Sequence, residues 1–110
     1  MVRSLARMLR SEHDVNGITD PREVVHRVAE GERWDVILCD LMMPYHTGPE
    51  LHAAVSAIDP ALGPRFVFVT GGVLREEVTR ALATLPNAVL SKPVDLATLR
   101  EAVRRARPPR

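Results

Sequence analysis

The chain has 110 residues, 45% of them apolar, and a formal net charge of +1 from 15 basic and 14 acidic side chains. This length suits one core-forming domain, the mixed charges leave no basic block for nucleic acid, and no run approaches the ~20 apolar residues of a membrane span. A single cysteine, Cys39, can form no intramolecular disulfide, so the expected setting is a reducing cytoplasm.

The chain opens in a helical pattern, with Val2, Leu5, Met8 and Leu9 on one stripe and Arg3, Arg7 and Arg10 off it. Residues 13–19 form a strand candidate, with Val15 and Ile18 apolar around Gly17. Asp20-Pro21-Arg22-Glu23 then starts a second helix, with Asp20 as N-cap and Pro21 at the first helical position. Val24, Val25 and Val28 supply its apolar stripe, and Gly31 ends it.

Residues 36–39, preceded by Trp34, are too short and too continuously apolar for a surface helix. They read as a central strand covered on both faces, and the strand ends abruptly on Asp40. Thr47-Gly48-Pro49-Glu50 repeats the capping pattern, opening a third helix that carries Leu51, Ala54, Val55 and Ile58 and stops at Asp59-Pro60. Residues 65–70, β-branched and aromatic, form a strand. Gly71-Gly72 leads into a fourth helix bearing Leu74, Val78, Ala81, Leu82 and Leu85, which Pro86-Asn87 breaks. Residues 88–90 are a short strand running into Ser91-Lys92-Pro93, and Asp95 caps a last helix with Leu96, Leu99 and Val103. Strict alternation of helix and strand with short connections predicts an α/β fold, a doubly wound parallel sheet with helices on both faces.

Asp40, Thr70 and Lys92 each follow a predicted strand. Parallel strands point their carboxyl ends the same way, so the three side chains can converge on one edge of the sheet, where such folds place their chemistry. A carboxylate can attack phosphorus, a hydroxyl can donate to a phosphoryl oxygen, and an ammonium can neutralise the charge that develops. Each residue alone has an ordinary reading, as a loop-opening Asp, a strand-end hydroxyl or a solvated cation. Three separate loops placing reactive groups on one edge favour a site. Lys92 is also the chain's one lysine beside 14 arginines, standing where a compact ammonium differs most from a planar guanidinium. His13, His26, His46 and His52 lack metal-ligand spacing and read as surface residues, and Gly71-Gly72 lacks the pattern of a phosphate-cradling loop. Trp34 reads as packing, and Tyr45 stands where it would rim the site.

From Asp40 onward the chain runs Asp40-Leu41-Met42-Met43-Pro44-Tyr45-His46-Thr47-Gly48. This resembles the D-x-x-M-P-x-x-x-G stretch of response regulator receiver domains, and Thr70 and Lys92-Pro93 complete the resemblance. It implies a flavodoxin-like sheet of strand order 2-1-3-4-5. It also implies that Asp40 accepts a phosphoryl group from a histidine kinase or phosphotransfer protein, that Thr70 and Lys92 bind the phosphoryl oxygens, and that the Lys92–Pro93 bond is cis. In the family, Mg²⁺ sits on the phosphoacceptor, the backbone carbonyl that corresponds to Met42, and an acidic pair ending a first strand. Here the sequence opens in the helix that follows that strand. The expectation is therefore a receiver-like domain over residues 1–106, lacking the first strand and its acidic pair, with residues 107–110 as a tail or the start of a linker. Mg²⁺ binding and phosphorylation of Asp40 are expected to be impaired.

The aromatic switch position of the family, three residues before the Lys, holds Val89. The source would be a response regulator or a hybrid histidine kinase, and no nucleic-acid or membrane partner is expected. One alternative is a receiver-derived interaction module that cannot be phosphorylated and forms a homodimer through its bare strand edge. A second is a haloacid-dehalogenase-type phosphatase, which wants another Asp two residues after the nucleophile, where this chain has Met42.

Overall fold

The computed structural model describes residues 18–41, 46–71 and 74–107. The predicted first helix lies outside these residues, as does all but the end of the strand candidate at 13–19. Helix α1, Pro21–Ala29, begins at Asp20, whose carboxylate accepts the Arg22 backbone N–H at 2.9 Å. Its Val24 and Val28 are buried, and Gly31 leaves the helix at φ 103°, a conformation only glycine takes at little cost. Strand β1, Ile37–Asp40, is followed by helix α2, Gly48–Ile58. Thr47 opens α2 with a complete capping box: its hydroxyl accepts the Glu50 N–H, and the Glu50 carboxylate accepts the Thr47 N–H at 2.8 Å.

The segment after Asp59 coils into a 3₁₀ helix, Pro60–Arg65, that the sequence reading treats as connection. Asp59 accepts the Ala61 N–H, and prolines at 60 and 64 remove the donors a continuing α-helix would need. Strand β2, Phe66–Thr70, helix α3, Glu76–Ala83, strand β3, Val89–Ser91, and helix α4, Leu96–Ala106, complete the described chain. Helix α3 starts without a side-chain cap, whereas Asp95 caps α4 by accepting the Thr98 N–H at 2.7 Å.

All three strands are parallel, in the order β1-β2-β3, with Ile37 opposite Phe66, Asp40 opposite Val69 and Thr70 opposite Ser91. The alternation of β2 divides the core between two layers. Phe66 and Phe68 pack with Val24, Val28, Leu51, Val55, Leu62 and Val78 on one face, and Val69 packs with Leu99 and Val103 of α4 on the other. The fold is thus the expected α/β architecture with helices on both faces of a parallel sheet. As the expected strand order implies, β2 lies between β1 and β3 among the described strands, and its first four residues are buried throughout, while Ile37 and Leu38 of β1 are half-buried. Continuous apolarity does mark two-sided cover in β1, since Ile37 packs towards the first layer and Leu38 towards the second.

Candidate functional site

Asp40 is the last residue of β1, and the chain turns immediately after it. Leu41, completely buried, donates its N–H to the Val69 carbonyl at 3.1 Å, and Gly48 returns to donate to the Leu41 carbonyl at 2.8 Å. Glycine is required at position 48 for space: a Cβ there would lie 2.9 Å from Leu41 Cδ2, 3.1 Å from Phe68 Cδ1 and 3.2 Å from Leu41 Cα. The loop that carries Asp40 is thereby pinned at both ends, to β2 and to the start of α2.

Thr70 ends β2, and its carbonyl accepts the Lys92 N–H at 2.8 Å, which ties the segment after β3 to the end of β2. The Lys92–Pro93 peptide is cis. Lys92 sends its ammonium to within 3.8 Å of Asp40 Oδ2, an ion pair too long for a direct hydrogen bond. The side chains of both residues are partly open to solvent, 37% for Lys92 and 28% for Asp40. The three residues singled out in the sequence therefore stand at the carboxyl ends of adjacent strands. Met42 and Tyr45 lie outside the described residues.

Three carboxylates elsewhere in the described chain are engaged at helix caps. Asp20 is held below the usual carboxylate range, chiefly by hydrogen bonds from the Arg22 side chain and backbone. Glu50 is lowered by its hydrogen bonds with Thr47 in the capping box, and Asp95 by the Thr98 N–H that it caps. Cys39 is 3% exposed, and burial, reinforced by the Asp40 charge, pushes its thiol up to about 12. It is a core residue and not a nucleophile. Among the described residues no three His, Cys, Asp or Glu side chains gather where they could hold a metal ion. An octahedral Mg²⁺ asks for more oxygen ligands than Asp40 alone supplies, so the described residues do not by themselves make a fitted Mg²⁺ site.

His52 departs from its reading as a surface residue. Its ring packs edge-on against Phe66, with centroids 5.1 Å apart, and lies 6.1 Å from Phe68. Spacing could have shown this, because residues 51, 52, 55 and 56 share the side of α2 that faces the sheet and the 3₁₀ helix. His26 is exposed, 3.9 Å from Glu30.

The sequence matches the response regulator receiver domain family over residues 1–104. No curated protein matches it. Among solved structures, the signal receiver domain of a modulated diguanylate cyclase from Desulfovibrio desulfuricans G20 is similar at 29% identity and a TM-score of 0.79, over 96% of this chain and 82% of the other. A response regulator receiver domain protein from Clostridium thermocellum aligns at 20% identity and a TM-score of 0.81, over 96% and 83%. A CheY-like receiver domain protein from Methanospirillum hungatei JF-1 aligns at 23% identity and a TM-score of 0.77, over 93% and 80%. With a parallel α/β sheet, a carboxylate and a lysine meeting at its carboxyl edge, and a family match over nearly its whole length, the chain belongs to the response regulator receiver domains of two-component systems.

Proposed function

We propose that this chain acts as a phosphoacceptor in two-component signalling, taking a phosphoryl group from a histidine kinase or phosphotransfer protein on Asp40. Receiver domains are signalling domains and are not generally classed as enzymes. The observation that carries the reading is the 3.8 Å approach of Lys92 Nζ to Asp40 Oδ2 at the ends of β1 and β3. In-line attack by the Asp40 carboxylate on phosphorus would form an acyl phosphate, with the donor's leaving group departing opposite. Lys92 would balance charge on the phosphoryl oxygens, and the Thr70 hydroxyl would donate to one of them. Lys92→Ala should then abolish binding of phosphate analogues. It should change folding stability by less than about 1 kcal/mol, because a solvent-facing ion pair contributes little. Lys92→Arg should restore binding only in part. Unfolding of the Lys92→Ala protein would place the residue in the scaffold instead.

In this 110-residue polypeptide we expect phosphorylation to be slow and Mg²⁺ binding weak, since Asp20, Glu50 and Asp95 are engaged at helix caps and no acidic cluster forms among the described residues. Mass spectrometry after incubation with acetyl phosphate and Mg²⁺ tests this. Slow, substoichiometric labelling that disappears in Asp40→Asn is the expected result. Fast stoichiometric labelling would show an efficient site, and labelling that survives Asp40→Asn would remove Asp40 as acceptor.

A second reading, an interaction module that forms a homodimer, is favoured by β1 standing at the edge of the described sheet, with its Ile37–Leu38 stretch half-buried. Strand edges pair readily with a second copy. Light scattering at micromolar concentration should give the mass of a dimer, and a monodisperse monomer would end this reading. The phosphatase alternative would use the same strand-end Asp with the downstream Thr and Lys, but it wants a second Asp at position 42, where this chain has Met.

A further inference from the structure

The net charge of +1 averages over an uneven distribution. Residues 100–110 hold five arginines and one glutamate, a net +4, while the other 99 residues carry 10 basic and 13 acidic side chains, a net −3. The average gives no reason to expect a nucleic-acid partner; the distribution does. Packing fixes which way the arginines of α4 face. Leu99 and Val103 are buried with Val69 of the sheet, and Ala102 is buried beside them. The exposed residues of α4 are therefore Ala97, Thr98, Arg100, Glu101, Arg104 and Arg105, with Arg107 half-buried at the C-cap.

Glu101 does not neutralise this face. Its carboxylate accepts two hydrogen bonds from Arg104, at 2.9 and 2.7 Å, and one from Arg105 at 2.8 Å. These hold its carboxyl down to about 2, so it stays ionised. One carboxylate among the four guanidiniums of residues 100, 104, 105 and 107 still leaves a local +3. Arg104 and Arg105 remain 70% and 75% exposed. Compensation of the helix dipole accounts for Arg104 and Arg105 in the last turn, but it fades within that turn and does not reach back to Arg100.

We propose that this outer face of α4 is a docking surface for the phosphate backbone of a nucleic acid. From Arg100 to Arg107 the helix runs about 10 Å, a length along which a duplex presents about six phosphate charges. Each guanidinium fork can meet two phosphate oxygens at once. The exposed residues of α4 include no large apolar side chain, whereas protein interfaces centre on apolar and aromatic anchors and exclude charge from their core. Backbone recognition needs only the cations. Such binding is blind to base sequence and independent of the phosphoacceptor reading.

The experiment is fluorescence anisotropy of a labelled DNA duplex of arbitrary sequence, titrated with the full chain. Wild type should bind at about 50 mM salt and weaken about 40–150-fold at about 200 mM, the loss expected when three or four phosphates are neutralised. Arg100→Glu/Arg104→Glu should bind at least about tenfold more weakly, Glu101→Gln should bind more tightly, and Arg75→Glu/Arg80→Glu, an equal change of net charge on α3, should stay within about threefold of wild type. Thermal melts check that each protein is folded. If the first double variant is not, Arg100→Gln carries the test by flattening the salt slope by about 0.9. No binding by wild type at about 50 mM salt would overturn the proposal, as would equal losses in the two double variants, which would make net charge and not this face responsible. Binding of poly-glutamate in place of the duplex would likewise overturn it and assign the face to an acidic protein.

Discussion

His52 shows what a single half-buried side chain does when its ring packs against the edge of a core. Burial against Phe66 and beside Gly63 holds its imidazole below the ordinary 6.5, with a hydrogen bond to the Gly63 backbone opposing the shift. The folded state therefore binds fewer protons at this residue than the unfolded chain does. Its contribution to stability is fully present above pH 6.5 and is lost as pH falls through the lowered folded value. Melts between about pH 7.5 and 5.5 should show stability falling, and His52→Leu should flatten that slope. An unchanged slope would show that other groups carry it. At the same scale, Asp40, Thr70 and Lys92 were legible because each is a polar group at or just past the end of an apolar run. The contact of Lys92 with Gly71 was not, because it joins residues 21 positions apart and no local pattern records that.

At the scale of elements, caps were the most readable feature. Asp20, Thr47 and Asp95 all open helices where the sequence placed them, since an N-cap acts through hydrogen bonds two or three residues away. Gly48 of the receiver motif is different, for it meets Leu41, just after β1, and Phe68 of β2. Gly48→Ala should cost about 1–3 kcal/mol through overpacking against Leu41 Cα, which cannot move as a side-chain end can. In a domain of this size each kcal/mol lowers Tm by about 4–8 °C, so calorimetry resolves the effect. Asn87, which reads only as a helix breaker, donates Nδ2 at 2.9 Å to both the Gly63 and the Phe66 carbonyls, tying the α3–β3 turn to the end of the 3₁₀ helix. Asn87→Ala should cost about 1–3 kcal/mol, because carbonyl groups near a packed core lose their donor. A melt within error of wild type would show that water replaces the amide. Helix α3 was overextended in the sequence reading, which began its stripe at Leu74 and ended it at Leu85. The helix runs only from Glu76 to Ala83, yet Leu74 and Leu85 pack against the same core from outside it. Hydrophobic spacing reports burial and does not report where hydrogen bonding stops.

At the scale of the whole molecule, the proposed association through β1 would draw on backbone pairing and apolar burial, for a chain with a net charge of +1 has little charge to steer or repel a second copy. The dimer mass should accordingly persist when ionic strength rises from about 0.1 M to about 1 M, where the Debye length shrinks to about 3 Å. Dissociation at high salt would point to an interface held by charges instead. No described helix is long and apolar enough to cross a membrane.

By itself the sequence determined the alternation of helix and strand, the parallel sheet with helices on both faces, and the edge on which Asp40, Thr70 and Lys92 stand. These follow from periodicity, caps and chain direction, which are local properties. Tertiary structure alone decided that Asn87 bridges the Gly63 and Phe66 carbonyls, that the His52 ring packs against Phe66, and that the Lys92 chain lies along Gly71 near Asp40. The physical reason is common to all three: each depends on which segments, distant in the chain, come to share the same few ångströms, and that is set by packing the whole.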